Sequence, residues 1–325
     1  MPPLSVSLND VAEAAKRISP FVPETPLRNY PVLDDAVGHG MEVWVKHENH
    51  HPTNAFKARN AMSALTALSP GQRKLGVIAA SRGNHGQGLA WAGQKLGVPV
   101  VICVPGGNSP EKNLAMQSFD AEVIIQGQDY DASAEVASEL AESRGLFLVH
   151  STNNPNIIAG AGTMTLEILE QVKDIEAMVI SVGGGSQAAG AISVIREKAP
   201  HIKVFGVQAE GASAIHDSWH AGRPIAKETA LTFADGLATR NCYEGTFETL
   251  RSGLSDFVTV TEGEIADAIR TLFAATHNIA EGAGAASFAG LTKIGNALAG
   301  KRVVTVISGG NIDTDVLQKV LNREL

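Results

Sequence analysis

Short runs of β-branched and other apolar residues recur along this chain at intervals that leave room for a helix between them. This alternation constrains the fold more than any other feature. Residues 42–47, 76–80, 98–104, 122–125, 146–149, 177–182, 203–208, 257–260 and 302–308 read as strands. Most are apolar from end to end, as in a parallel strand covered on both faces, where a half-exposed antiparallel strand would alternate. Helical patterns fill the gaps. One starts at Ser109-Pro110, with proline at the first helical position, and another opens at Asp131 and runs to Arg144. The fold class expected is α/β with parallel sheet. No repeat, low-complexity tract or Pro/Ser linker divides the chain, so two lobes would have to be interleaved. The four βα units over 76–150 are expected to form a smaller lobe inserted into a larger one made of 1–75 and 151–325.

Composition removes several alternatives. With 44% of its 325 residues hydrophobic and 18% charged, the chain carries too much apolar material for disorder. A net charge of −8 and the lack of any basic run argue against nucleic acid as a partner. No apolar stretch approaches the roughly 20 residues of a membrane span, and residues 1–20 lack the basic start and apolar block of a signal peptide. Cys103 and Cys242 are too few for a disulfide scaffold and lack paired spacing for zinc, so a reducing cytoplasm is expected. The 33 glycines are about a tenth of the chain, above the usual ~7%, and they cluster.

Four segments carry candidate chemistry. In Asn54-Ala55-Phe56-Lys57-Ala58-Arg59, Lys57 stands at a helix start beside an aromatic ring. Both features lower an amine's pKa toward nucleophile or base chemistry; the alternative, and the commoner case for a lone lysine, is a solvated side chain. The neighbouring His47, His50 and His51 have no metal-ligand spacing. Ser81-Arg82-Gly83-Asn84-His85 follows a strand and enters a helix, where backbone N–H groups suit a carboxylate; the alternative is a turn capped by Asn84. Gly183-Gly184-Gly185-Ser186-Gln187 lies in the same strand-to-helix position, and three glycines let the backbone approach a phosphate closely. Ser308-Gly309-Gly310-Asn311 ends a buried strand, where Ser308 could meet a heterocycle nitrogen at the sheet's carboxyl end; the alternative is a simple turn.

In this order and spacing the four segments resemble the fold type II pyridoxal-phosphate enzymes, whose relatives include the tryptophan synthase β chain, and most closely their threonine/serine dehydratase branch. The segment 104–113 also looks like that branch. The resemblance implies two parallel-sheet lobes and pyridoxal 5′-phosphate held as a Schiff base on Lys57. Phe56 would lie against the ring, Asn84 would bond its phenolic oxygen, and Ser308 would face its nitrogen. Gly183, Gly184, Gly185, Ser186 and Gln187 would hold the phosphate. Ser81, Gly83, Asn84 and His85 would receive the substrate carboxylate, and Glu281 would stand near the ring. The implied activity is α,β-elimination from a β-hydroxy-α-amino acid to a 2-oxo acid and ammonia, with Lys57 as base and the cofactor phosphate as acid for the departing hydroxyl. A homodimer is implied as well.

The chain also departs from that pattern. Asn54 and Asn60 replace usual glycines, and Asn54 is expected to alter cofactor seating or the pocket for the β-substituent. The preferred substrate could thus be bulkier, such as phenylserine, or acidic, such as hydroxyaspartate. Arg82 replaces the serine that racemases of this fold use on the opposite ring face, so weak or absent racemisation is expected. It could instead pair a second substrate carboxylate. Gln208-Ala209-Glu210 leaves the carboxylate set of cation-binding relatives incomplete, so no metal requirement is expected. The chain given ends 12 residues after Asp313, so the regulatory domain of biosynthetic relatives is not expected.

Two other enzyme readings compete. A β-replacement synthase shares the fold, although cysteine synthases carry threonine where His85 stands. A nicotinamide-dependent dehydrogenase would use the loose Gly183-x-Gly185-x-x-Ala188 pattern with Glu210 on a ribose, leaving Lys57 and the Asn84-His85 turn without a role. A binding module that has lost catalysis is the non-enzymatic alternative.

Overall fold

The ten strands of the computed structural model, which describes residues 5–325, form two separate sheets. The larger takes β1 (Leu27–Asn29), β2 (Glu42–His47), β7 (Ala177–Ser181), β8 (Lys203–Ala209), β9 (Asp256–Val260) and β10 (Arg302–Ile307), in the order β1-β2-β10-β7-β8-β9. All its pairings are parallel except the edge pair β1/β2. The smaller sheet is wholly parallel and takes β3 (Val77–Ala80), β4 (Val100–Val104), β5 (Glu122–Ile125) and β6 (Phe147–Leu148), in the order β5-β4-β3-β6. The chain thus leaves the larger sheet after β2, completes the smaller one, and returns at β7.

Alternation along each strand sends successive side chains to opposite faces, and both faces of the larger sheet are covered. Val179, Val207, Val303 and Ile307 pack on one side with Ala285, Ala286 and Phe288 of the helix Gly282–Ile294. Met178, Ile180, Val304 and Val306 pack on the other with Met164, Ile168 and Ile192 of the helices Pro155–Gln171 and Ser186–Lys198. Burial on both sides is why these strands are apolar throughout. In the smaller sheet, Val77, Ala79 and Ile102 share a core with Ala58, Ala61, Met62 and Leu65 of the helix Lys57–Thr66. Packing there crosses the boundary expected at residue 75.

Local signals place the helix starts. Ser109 Oγ accepts from the Lys112 amide at 3.3 Å ahead of the helix Pro110–Gln117. The helix expected from Asp131 begins one residue earlier, as Tyr130–Arg144, because Asp129 caps it through the Ala132 amide at 2.9 Å. Strand β1 has no counterpart among the expected strands. Among the described residues no helix is long and apolar enough to cross a membrane.

Candidate active site

Strands β2, β10 and β7 are parallel neighbours, yet β10 is the last strand in sequence, so their connections leave in opposite directions. Such a switch point opens a crevice at the carboxyl ends of the strands. The loop after β2 is pinned there: the Phe56 amide donates to the Ser308 carbonyl at 3.0 Å, and Ala55 bridges to Gly309. Lys57 follows as the first residue of its helix. Its Nζ lies 4.8 Å from the Phe56 ring centre and 3.5 Å from Ser186 Oγ. Burial brings the amine down to about 8, against the opposing pull of Glu281.

The glycine run after β7 leads into the helix Ser186–Lys198, with Gly185 at φ 95°, a conformation that favours glycine. A Cβ on Gly183 would collide with the Gly236 carbonyl oxygen, and one on Gly184 with Thr152 Oγ1. The turn is therefore bare backbone at a helix N-terminus, the chemistry of a phosphate cradle. Thr246 Oγ1 fixes it by donating to the Gly184 carbonyl at 2.9 Å.

In the turn after β3, Ser81 Oγ accepts from the Gly83 and Gly86 amides at 3.1 and 2.9 Å. Asn84 is not the cap; it is the first helical residue of Asn84–Leu96. It instead spans the site, donating to Glu281 Oε1 at 2.6 Å and accepting from Asn311 Nδ2 at 2.8 Å. Burial raises Glu281 to about 7, opposed by Lys112 and Asn84. His85 Nε2 meets the Val149 carbonyl at 3.1 Å, an arrangement that places its proton on Nε2. Burial, with Lys57 nearby, lowers the imidazole to about 3, so it is neutral at pH 7.

These elements surround one cavity of about 450 Å³. Phe56, Lys57, Ser81, Arg82, Gly83, Asn84, His85, Glu281 and Ser308 line it together with residues 183–187. Asn54 corrects the sequence reading: it does not line the cavity. Its backbone has a φ of 52° and its side chain is exposed, 3.4 Å from Asn311 Oδ1. That left-handed backbone suits glycine and is tolerated by asparagine. Asn60, by contrast, is buried with Nδ2 3.5 Å from Ser186 Oγ. Arg82 is exposed at the cavity edge. Glu210 is exposed in a short turn after β8, and Gln208 is fully buried.

Several cavity residues escaped the sequence reading. Lys112 pairs with Asp235 and lies 3.5 Å from Asp313, joining the smaller sheet's helix to segments of the larger lobe. Tyr130, Tyr243 and the Arg240–Asp131 ion pair form another wall. Only the 104–113 segment, which contains Lys112, carried a signal.

The residues fit pyridoxal phosphate. A lysine amine with lowered pKa suits imine formation with an aldehyde, and the glycine cradle lies beside it. Ser308 Oγ, whose bond to the Ala283 carbonyl is a long 3.3 Å, faces the same cavity. Ser181 Oγ is buried there without a partner. A switch-point crevice with these groups defines an α/β enzyme of fold type II built around pyridoxal phosphate.

The comparisons agree. The sequence pattern of the "Pyridoxal-phosphate dependent enzyme" family matches residues 18–309, and the chain belongs to that family. It is similar to an L-threonine ammonia-lyase of Thermotoga maritima, with 38% identity over 98% of this chain and 79% of that one. It is similar in structure to a threonine deaminase from Solanum lycopersicum, with 31% identity, TM-score 0.91, and coverage of 99% and 90% of the two chains. Maize serine racemase superposes with TM-score 0.92 over 98% of each chain at 26% identity. The cofactor is pyridoxal phosphate.

Proposed function

We propose that this protein is a pyridoxal-phosphate-dependent ammonia-lyase that dehydrates and deaminates a β-hydroxy-α-amino acid. The substrate is of the threonine/serine type or carries a larger substituent, as phenylserine or hydroxyaspartate does. The observation that carries this reading is the convergence of Lys57, the Ser81–His85 turn, the triple-glycine cradle and Ser308 on one cavity. Similarity to L-threonine ammonia-lyases over almost the whole chain supports it.

In this reading Lys57 holds the cofactor, residues 183–187 its phosphate, and Phe56, Asn84, Glu281 and Ser308 surround its ring. When bound, the cofactor supplies an electron sink for the bond broken at the substrate's α-carbon. The chain's own groups do the rest. Backbone amides of the Ser81–His85 turn bind the α-carboxylate, and neutral His85 adds no charge of its own. With its amine free, Lys57 would take the α-proton. Its lowered pKa keeps a useful fraction of free amine at neutral pH. Breaking the Cα–H and Cβ–O bonds would in net transfer the α-proton, taken by Lys57, to the departing hydroxyl, which leaves as water, and hydrolysis of the enamine product would yield a 2-oxo acid and ammonia.

The larger lobe is assigned to 1–75 with 151–325 and the smaller to 76–150. The enzyme acts as a cytoplasmic homodimer without a required metal, and racemisation is weak or absent because Arg82 offers no hydroxyl. Screening β-hydroxy amino acids for ammonia and 2-oxo acid tests the activity. Release from at least one supports it. A new amino acid formed only when a thiol and an activated serine are supplied would indicate β-replacement instead.

A further inference from the structure

The cavity borders a second, partly solvent-open pocket of about 140 Å³ across Tyr130 and Tyr243. The two spaces share Ala80 as well as the tyrosines, and Ala80 directly precedes the Ser81–His85 turn. The chamber therefore opens beside the place where the substrate carboxylate sits. Buried Ala137 and Val149, half-buried Ala134 and exposed Leu148 give it a hydrocarbon side, and Ser151 and Asn241 line the side shared with the main cavity. Its mouth is aromatic, with Tyr243 meeting the His150 ring edge-on at 5.4 Å between centroids.

Size and charge narrow the occupant. An apolar cavity of about 150 Å³ takes a benzene ring, whereas the methyl of threonine would leave most of this chamber unfilled. No lysine or arginine lines it, and burial holds His150 below its ordinary value, on the neutral side. Asp131 stands at the rim, already paired with Arg240. A carboxylate substituent would enter without a counter-charge and meet a like charge.

We propose that this chamber receives an aromatic ring on the substrate's β-carbon, making a β-aryl-β-hydroxy-α-amino acid such as phenylserine the preferred substrate. The inference rests on the dehydratase reading above and names its substrate class. Small side chains at 134 and 137 keep the space open, and a leucine at 134 would fill it.

The test measures kcat/KM of the holoenzyme for phenylserine, threonine and hydroxyaspartate, in the natural protein and in Ala134→Leu. Phenylserine is expected to exceed threonine by about tenfold or more, and Ala134→Leu to lower that ratio by about tenfold or more. In parallel, phenylalanine and alanine, which lack the leaving hydroxyl, are titrated against the cofactor's visible absorbance. Ala134→Leu should weaken phenylalanine about tenfold more than alanine. Threonine or hydroxyaspartate preferred over phenylserine, or a phenylserine-to-threonine ratio the substitution does not move, overturns the proposal while leaving the dehydratase reading intact. If no substrate yields a 2-oxo acid, the dehydratase reading fails. The phenylalanine titration then decides the chamber alone: binding that Ala134→Leu does not weaken overturns the aromatic assignment.

Discussion

Asn84 Nδ2 donates to Glu281 Oε1 at 2.6 Å, tying the first turn of a helix on the smaller sheet to the residue that precedes a helix on the larger one. Burial pushes the Glu281 carboxyl up to about 7, and this bond works against the rise. Removing the donor in Asn84→Ala leaves burial less opposed, so the carboxyl holds its proton to higher pH. The ionisation near 7 in the pH profile of kcat/KM is expected to move upward in Asn84→Ala and to vanish in Glu281→Gln. Steady-state rates between pH 5.5 and 9 check both.

Lys57 titrates at about 8, where a solvated lysine titrates near 10.5, because burial disfavours its charge. About a tenth of the amine is then free at pH 7, against well under one part in a thousand for an ordinary lysine. In enzyme stripped of cofactor, capture of pyridoxal phosphate is expected to quicken as pH rises from 6 to 8 and to level off above. Stopped-flow absorbance reads the rate. Lys57→Ala retains no cofactor after borohydride reduction, as mass spectrometry of the denatured protein would show.

The phosphate cradle depends on the absence of side chains. In Gly184→Ala the new methyl strikes Thr152 Oγ1, and the cradle shifts. Cofactor affinity is expected to fall by about tenfold or more, since a turn moved by a few tenths of an ångström loses aligned amide donors. Equilibrium dialysis with pyridoxal phosphate measures this independently of turnover, and Gly184→Ala/Thr152→Ala, which removes the struck oxygen, tests whether relieving the clash restores part of it.

Strands were legible because burial on both faces leaves an uninterrupted apolar run such as Val100–Val104. Strand β1 was not: Leu27-Arg28-Asn29 is three residues at an edge, too short to show a period. The site residues were legible as an ordered set of turns, although nothing local says that Asn84 reaches Glu281. Asn54 shows the limit. Three residues before Lys57, it stands close to the chemistry by count, but the His51–Asn54 backbone bond and a positive φ carry it to the surface. The Lys112–Asp235 contact and the chamber behind Tyr130 arise where distant loops meet, and no periodic pattern encodes such a meeting.

Two residues beyond Lys57, Arg59 is buried between two carboxylates. Its Nε and Nη2 donate to Glu48 at 2.7 and 3.0 Å, and Nη1 and Nη2 to Glu167 at 2.6 and 2.7 Å. Glu48 is wholly enclosed, so Arg59→Met leaves its carboxylate buried with only His51 at 3.1 Å and the Thr25 hydroxyl at 2.6 Å beside it, at a cost of up to about 3–5 kcal/mol. Arg59→Lys is also expected to destabilise, because an ammonium cannot reproduce the guanidinium fork. Urea unfolding followed by circular dichroism reads the loss. The double variant Arg59→Met/Glu48→Leu should be less destabilised than Arg59→Met alone, since it also removes the buried carboxylate that has lost its guanidinium.

His47 and His85 make the fold sensitive to mild acid. Burial lowers them to about 4 and about 3, from an ordinary value near 6.5. Between pH 6.5 and those values the unfolded chain protonates both rings while the folded protein keeps them neutral. The unfolded state then binds more protons, and stability falls as pH falls, by up to about 1.4 kcal/mol per pH unit for each ring. Above 6.5 both states are neutral and the effect is absent. The melting temperature is expected to drop between pH 6.5 and 5 after buffer effects are matched. His47→Asn should flatten that slope by the share of one ring, even if its stability at pH 7.5 is lower through loss of the 2.9 Å contact with the Tyr30 hydroxyl. An unaltered slope in His47→Asn would show that His47 is already charged in the folded protein.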